Sequence, residues 1–264
     1  MTAITAGSDA ASPPSTRAAR ILTVDDLRGA LRQGWDDFAA KPTHVLFLVA
    51  IYPLAGLLLA TLAGRGDALA LVFPLVAGFA LLGPLTAVGL YELSRRREAG
   101  EPARLADAVS VATGPAAGPV ARIALVLFAI FTAWLTAADL LWASVMGVGR
   151  PESVSALSAQ VFGTTEGLRL IVLGHLVGGV FAAAALAVSM FSLPMVVAGE
   201  RSAFAAMRAS IQTVAANPRV CAIWGLVVGA IMAVASAPFL IGLAVALPVL
   251  GHATWRLYRR AWPD

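Results

Sequence analysis

The chain has 264 residues, of which 59% are hydrophobic and only 13% charged, and its mean hydropathy is +0.82. Soluble domains carry about 25% charged residues, so this balance excludes an ordinary water-soluble globule and points to a lipid-facing surface. The net charge is +4, eighteen of the nineteen basic residues are Arg, and the single cysteine, Cys221, excludes an intrachain disulfide and any cysteine-built zinc or iron–sulfur centre.

Residues 1–20 are rich in Ala, Ser, Thr and Pro and hold no apolar run. They lack the apolar core of a secretory signal peptide, and a disordered tail is expected. From Ile21 the pattern becomes helical. Val24, Leu27, Leu31, Trp35 and Phe38 fall on one stripe, while Asp25, Arg28, Arg32 and Asp36 lie mostly elsewhere. Such a helix suits the membrane surface or the inner ends of a bundle. Pro42 ends it, because a residue before proline is pushed out of the α region.

A spanning helix needs about 20 mostly apolar residues. Stretches near 43–63, 70–93, 120–142, 168–197, 219–236 and 238–257 meet or approach that length. The fourth is over-long and should bend around Ser192-Leu193-Pro194. The fifth and sixth meet around Ser236-Ala237-Pro238, where a tight turn is expected. Basic residues are enriched on cytoplasmic loops. With both ends inside, the inner segments hold sixteen Arg and Lys, and the outer ones only Arg65, Arg150 and Arg169. The expected fold is therefore an all-α, polytopic membrane helical bundle of six transmembrane helices, both termini cytoplasmic, in a bacterial inner membrane.

The chain also matches itself. Shifted by 176 positions, Arg32 falls on Arg208, Leu31 on Met207, Ala39-Ala40 on Ala215-Ala216, and Lys41-Pro42 on Asn217-Pro218. Shifted by 164, Pro84 meets Pro248, Tyr91 meets Trp255, Leu93 meets Leu257, and Arg95-Arg96 meets Arg259-Arg260. A parallel internal repeat of surface helix plus helical hairpin is expected. Its first unit is 21–97 and its second 201–260, within a 21–260 membrane domain whose middle pair of spans is 98–200.

The run from Gly83-Pro84-Leu85 to Arg95-Arg96, the run from Leu247-Pro248 to Arg259, Phe191-Ser192-Leu193-Pro194 and the Asn217-Pro218 joint resemble an uncharacterised bacterial family of predicted integral membrane proteins, catalogued as a domain of unknown function. The resemblance spans roughly 21–260. It implies an inner-membrane location and carries no catalytic residues. Some members are labelled putative cytochrome c oxidases. A haem–copper core needs several histidines on its metals. This chain has three, His44 and His252 toward the inner face and His175 toward the outer one, so that label does not fit.

Asp139, flanked by Trp134 and Trp142, is the one acid well inside an apolar run. It lies about 25 Å along the helix from Arg122, near the outer interface. A pairing with His175 would make a polar intramembrane site for a proton or cation. Glu92 should bond Arg95 and Arg96 one turn on. Tyr91, Arg95, Arg96, Trp255, Tyr258, Arg259 and Arg260 read as inner-face interfacial anchors, with anionic lipid headgroups as a second use. Cys221 reads as a buried thiol, and Gly174-xxx-Gly178 and Gly225-xxx-Gly229 as points of close helix approach. No phosphate loop, H-E-x-x-H, G-x-S-x-G or C-x-x-C motif is present. The expectation is a non-enzymatic structural or accessory membrane protein, with no catalytic residues, cofactor or metal. Its partners are the bilayer and a membrane protein or second copy, not nucleic acid. The alternative is a small transporter or permease built on Asp139 and His175.

Overall fold

The computed structural model describes residues 19–40, 74–75, 83–147, 149, 151–237 and 241–263. The described residues are all-helical, with no strand. In chain order the helices are α1 (Val24–Ala40), α2 (Gly83–Thr86), α3 (Val88–Glu98), α4 (Leu105–Ser110), α5 (Ala117–Met146) and α6 (Val154–Gly163). They continue with α7 (Thr165–Ser189), α8 (Ser192–Val197), α9 (Ala203–Ala216), α10 (Pro218–Ser236) and α11 (Leu243–Ala261).

Three stretches are long and apolar enough to cross a bilayer: Ala117–Met146, Thr165–Val197 and Pro218–Ser236. Between 6% and 22% of their apolar windows is buried, so most of each window stays at least partly uncovered by protein, as a lipid-facing helix requires. They correspond to the third, fourth and fifth spans read from the sequence. The first expected span lies outside the described residues, as do residues 70–73 and 76–82 of the second and residues 1–18 of the expected tail. The sixth takes a different form. α11 buries twelve residues, and its last turns carry Arg256, Arg259 and Arg260. Its C-terminal half is therefore packed in protein and polar.

Local chemistry sets the helix ends. Ser153, Thr164 and Ser202 cap α6, α7 and α9 by accepting from the backbone N–H three residues on. Thr23 and Asp26 cap α1 reciprocally: the Thr23 N–H and hydroxyl donate to Asp26 Oδ2, and the Asp26 N–H donates to Thr23 Oγ1. α3 and α8 both finish on glycines with positive φ, Gly100 (71°) and Gly199 (116°). In each case the next residue reaches back five positions, Glu101 N–H to the Arg96 carbonyl and Glu200 N–H to the Met195 carbonyl, closing the helix end.

The long fourth stretch breaks at Met190–Phe191, just ahead of the proline, and resumes as α8. Pro194 has no N–H to continue the ladder. Ser210 bridges the gap, donating to the Ala187 carbonyl and accepting from the Phe191 N–H. At the other expected joint, α9 stops at Ala216 and Pro218 opens α10 at its first turn.

The densest core lies where α3, α8 and the C-terminal half of α11 meet. Phe191, Trp262, Tyr258 and Trp255 stack in series with ring centroids 5.4–5.8 Å apart, all of them buried. α1 lies lengthwise along α11. Their approach is closest at Gly34, where an added Cβ would sit 2.7 Å from both the Ala253 Cβ and the Val249 carbonyl oxygen. The buried face of α1 is consequently Leu27, Ala30, Gly34, Asp37 and Phe38, while Val24 and Trp35 of the expected stripe are exposed. α5 and α7 pack through Trp134, which stacks on Phe181 and presses on Gly178. Gly225 meets Leu186, so one glycine of each small-residue pair marks a helix contact. Cys221 is buried, as expected.

Candidate functional site

The charged side chains of α1, α3 and α11 converge in one polar layer. At its centre is Asp37, 4% exposed. Arg256 grips it with two prongs, Nε to Oδ2 at 2.8 Å and Nη2 to Oδ1 at 2.9 Å. Arg97 adds a third contact from α3, Nη1 to Oδ1 at 3.0 Å, and the same nitrogen donates to the Asp36 carbonyl. A planar guanidinium fits a carboxylate in this two-pronged way, which fixes orientation as well as distance. One carboxylate thus joins the first described helix to the last and to α3.

Around this centre the remaining charges pair off. Glu98 accepts from the indole of Trp255 at 2.9 Å and from Arg259 at 3.1 Å. Glu92 accepts from Arg95 and Arg96, one turn on, as the sequence spacing predicts. Arg96 also lies 3.5 Å from Asp107, and Arg95 lies 3.6 Å from Glu101. At the far end of α1, Asp26 accepts from Arg20 at 2.6 Å, and the Arg20 N–H donates to the Ala261 carbonyl. Burial would raise the Asp26 carboxyl, but its bonds to Thr23 and Arg20 outweigh this and hold it below the usual carboxylate range. Asn217, at the helix joint, ties in the chain before α1: its Oδ1 accepts from the Leu22 N–H at 2.7 Å while its Nδ2 donates to the Thr213 carbonyl.

His252 is buried in the same layer, 3% exposed. Its Nδ1 lies 2.7 Å from Ser94 Oγ, which is 3.5 Å from Asp37 Oδ2. The ring borders a cavity of about 230 Å³ whose wall also includes Asp37, Ser94, Arg97 and Glu101 on its polar side, and Ala40, Leu93 and Ala103 on its apolar side.

The residues singled out from sequence fare unevenly. Tyr91, Trp255 and Tyr258, expected at the lipid interface, are 1–2% exposed and belong to the protein core. Arg95, Arg96 and Arg259 are held by Glu92 and Glu98, so their charges are spent within the protein. Arg260 lies over α1, where its guanidinium fills the space beside Gly29 and its Nε is 3.7 Å from Asp26. Asp139 is half-buried on α5, and His175 is exposed on α7 with its Nδ1 on the Ile171 carbonyl of its own helix. The Trp134–Gly178 contact sets Asp139 and His175 at similar depth on antiparallel helices. Asp37, Ser94 and Arg256 were missed by sequence reasoning. The available signal was the small-residue face leading up to Asp37, with Gly34 one turn and Ala30 two turns before it.

Among the described residues no group of three or more His, Cys, Asp or Glu could hold a metal ion. No curated protein and no solved structure matches the chain. The chain does match, over residues 72–198 and thus without α1 and α11, the model of an uncharacterised membrane-protein family described as "Predicted integral membrane protein (DUF2189)", a description that carries no oxidase designation.

Proposed function

We propose that this integral membrane protein crosses a bacterial inner membrane six times with both termini cytoplasmic, and that it acts as a non-enzymatic structural or accessory component. The observation that carries the reading is the three-helix clamp on Asp37. It gathers the ends of α3 and α11 and the length of α1 into one rigid polar layer, at the end of the molecule where Arg95–Arg97 and Arg256–Arg260 cluster. Enrichment of arginine on one side is the mark of a cytoplasmic face. The apolar lengths of α5, α7 and α10 carry few polar groups, which suits anchoring better than passage of a solute.

The parallel repeat is supported by matched burial. Leu27 and Ala203, Ala30 and Ala206, Gly34 and Ser210, and Asp37 and Thr213 are buried in both copies, while Arg28, Arg32, Phe204 and Arg208 are exposed. In the second register Tyr91 and Trp255, Leu93 and Leu257, and Ser94 and Tyr258 are buried alike. A duplicated helix–hairpin unit, 21–97 and 201–260, flanking a middle pair at 98–200, accounts for both registers. The outward-facing arginines Arg28, Arg32 and Arg208, beside Trp35 and Ile211, fit anionic headgroups, each basic residue near a charged membrane contributing about 1 kcal/mol.

The competing reading is a small transporter whose site is Asp139 and His175, favoured by their similar depth. Affinity purification in mild detergent, followed by mass spectrometry, and flux assays on the purified protein in vesicles separate the two. The accessory reading expects a stoichiometric membrane-protein partner and no flux above empty vesicles. Proton or cation flux lost in Asp139→Asn would overturn it.

A further inference from the structure

Among the described residues one buried side-chain nitrogen or oxygen lacks a hydrogen-bond partner, the Nε2 of His252. Buried polar atoms are nearly always bonded, so an orphan beside a cavity marks a place where a partner belongs. The tautomer defines what kind of partner. Ser94 has one hydroxyl proton, and its Oγ lies 2.7 Å from His252 Nδ1 but 3.5 Å from Asp37 Oδ2. Hydroxyl hydrogen bonds span roughly 2.5–3.0 Å, so the proton goes to the histidine. Asp37 has no need of it, being held by Arg256 and Arg97 already. With Nδ1 accepting, the ring proton sits on Nε2. The layer thus presents a buried N–H donor with no acceptor.

The charges facing this point favour an anion. Asp37 with Arg97 and Arg256 sums to one net positive charge. Glu101, the other carboxylate on the wall, is 46% exposed and offset by Arg95. Arg97 uses Nη1 for Asp37 and the Asp36 carbonyl, which leaves Nε and Nη2 as further donors. Two donor groups from two helices, with a net positive charge behind them, match an oxyanion.

We propose that the cavity between α1, α3 and α11 is a binding site for a phosphate-type oxyanion, held by the Nε2–H of His252 and the guanidinium of Arg97. A volume of about 230 Å³ admits a phosphate with a short polar substituent and no acyl chain. The oxyanion comes either from the headgroup of an anionic phospholipid or from free phosphate. The assignment does not depend on the number of membrane spans or on the accessory role.

The test uses the full-length protein, delipidated in a neutral detergent and labelled with ¹⁵N at histidine. One arm titrates inorganic phosphate. The other compares nanodiscs of phosphatidylglycerol with nanodiscs of phosphatidylcholine. The expected result is a saturable shift of the His252 Nε2 resonance, weakened about tenfold or more in both His252→Phe (read by thermal stabilisation) and the cavity-filling Ala103→Leu. A shift with free phosphate assigns a soluble oxyanion, and a shift confined to phosphatidylglycerol assigns a lipid headgroup. The proposal is overturned if neither arm moves the Nε2 resonance, or if thermal stabilisation by the bound arm persists unchanged in both variants. The wild-type resonance decides the matter even where a variant does not fold.

Discussion

Asp37 and Arg256 are 219 positions apart in the chain and share two hydrogen bonds, at 2.8 and 2.9 Å, in a site where the carboxylate is 4% exposed. Removing one partner of a buried pair leaves an uncompensated charge, which typically costs about 3–5 kcal/mol. Asp37→Ala should therefore lose about 3 kcal/mol and release α1 from α11. Asp37→Leu combined with Arg256→Met should recover most of that loss, because neither charge is then stranded. Unfolding of the two variants and the wild type in detergent checks this. Equal losses in single and double variants would mean that packing rather than charge holds the helices.

Gly34 lets α1 approach α11 until backbone meets backbone. A Cβ at this position would lie 2.7 Å from the Val249 carbonyl, an atom that cannot swing aside. Gly34→Ala is expected to cost about 1–3 kcal/mol through forced separation of the helices. The helix propensity of alanine works the other way by roughly 1 kcal/mol, so a net loss in thermal unfolding identifies the contact as the deciding effect.

These two residues show how much of the molecule was legible beforehand. The joint at Asn217-Pro218, the break ahead of Pro194, the Glu92–arginine pairs and three apolar spans follow from local chemistry, and the structure contains them. The buried face of α1 does not. A hydrophobic stripe weights Trp35 above Gly34 and treats Asp37 as solvated, whereas docking on α11 rewards small size at Gly34 and a distant arginine satisfies Asp37. For the same reason Tyr91, Trp255 and Tyr258 resemble an interfacial belt in sequence: aromatic residues beside arginines occur both at membrane surfaces and in a charged layer built within the protein.

Asn217 accepts from the buried Leu22 N–H at 2.7 Å and so holds the chain entering α1 against the α9–α10 joint. Asn217→Ala leaves that N–H without an acceptor, and an unsatisfied buried donor costs about 1–3 kcal/mol. Asn217→Asp keeps the acceptor and should lose less. Amide exchange at Leu22 is the direct readout, with protection lost in the alanine variant and largely kept in the aspartate variant.

The cap on α1 sets a pH dependence. The folded Asp26 carboxyl titrates below its unfolded value because its bonds to Thr23 and Arg20 outweigh the cost of burial. Its contribution is therefore complete above the ordinary carboxylate value, near pH 4, and is lost as pH falls through the lower folded value. Limited proteolysis of the α1 N-terminus should accelerate below pH 4 in the wild type. Asp26→Asn should be cleaved faster at neutral pH and show little further change on acidification.

The central claim is that the arginine-rich layer lies on the cytoplasmic side and that the helices between its parts cross the bilayer. Two-sided labelling of single cysteines, in a Cys221→Ser background, measures this most directly. Arg104, Ser155 and Arg201 are exposed positions separated by α5 and by α7 with α8. Cysteines at Arg104 and Arg201 should react only from the cytoplasmic side, and one at Ser155 only from the opposite side. Labelling of all three from the same side would contradict the account.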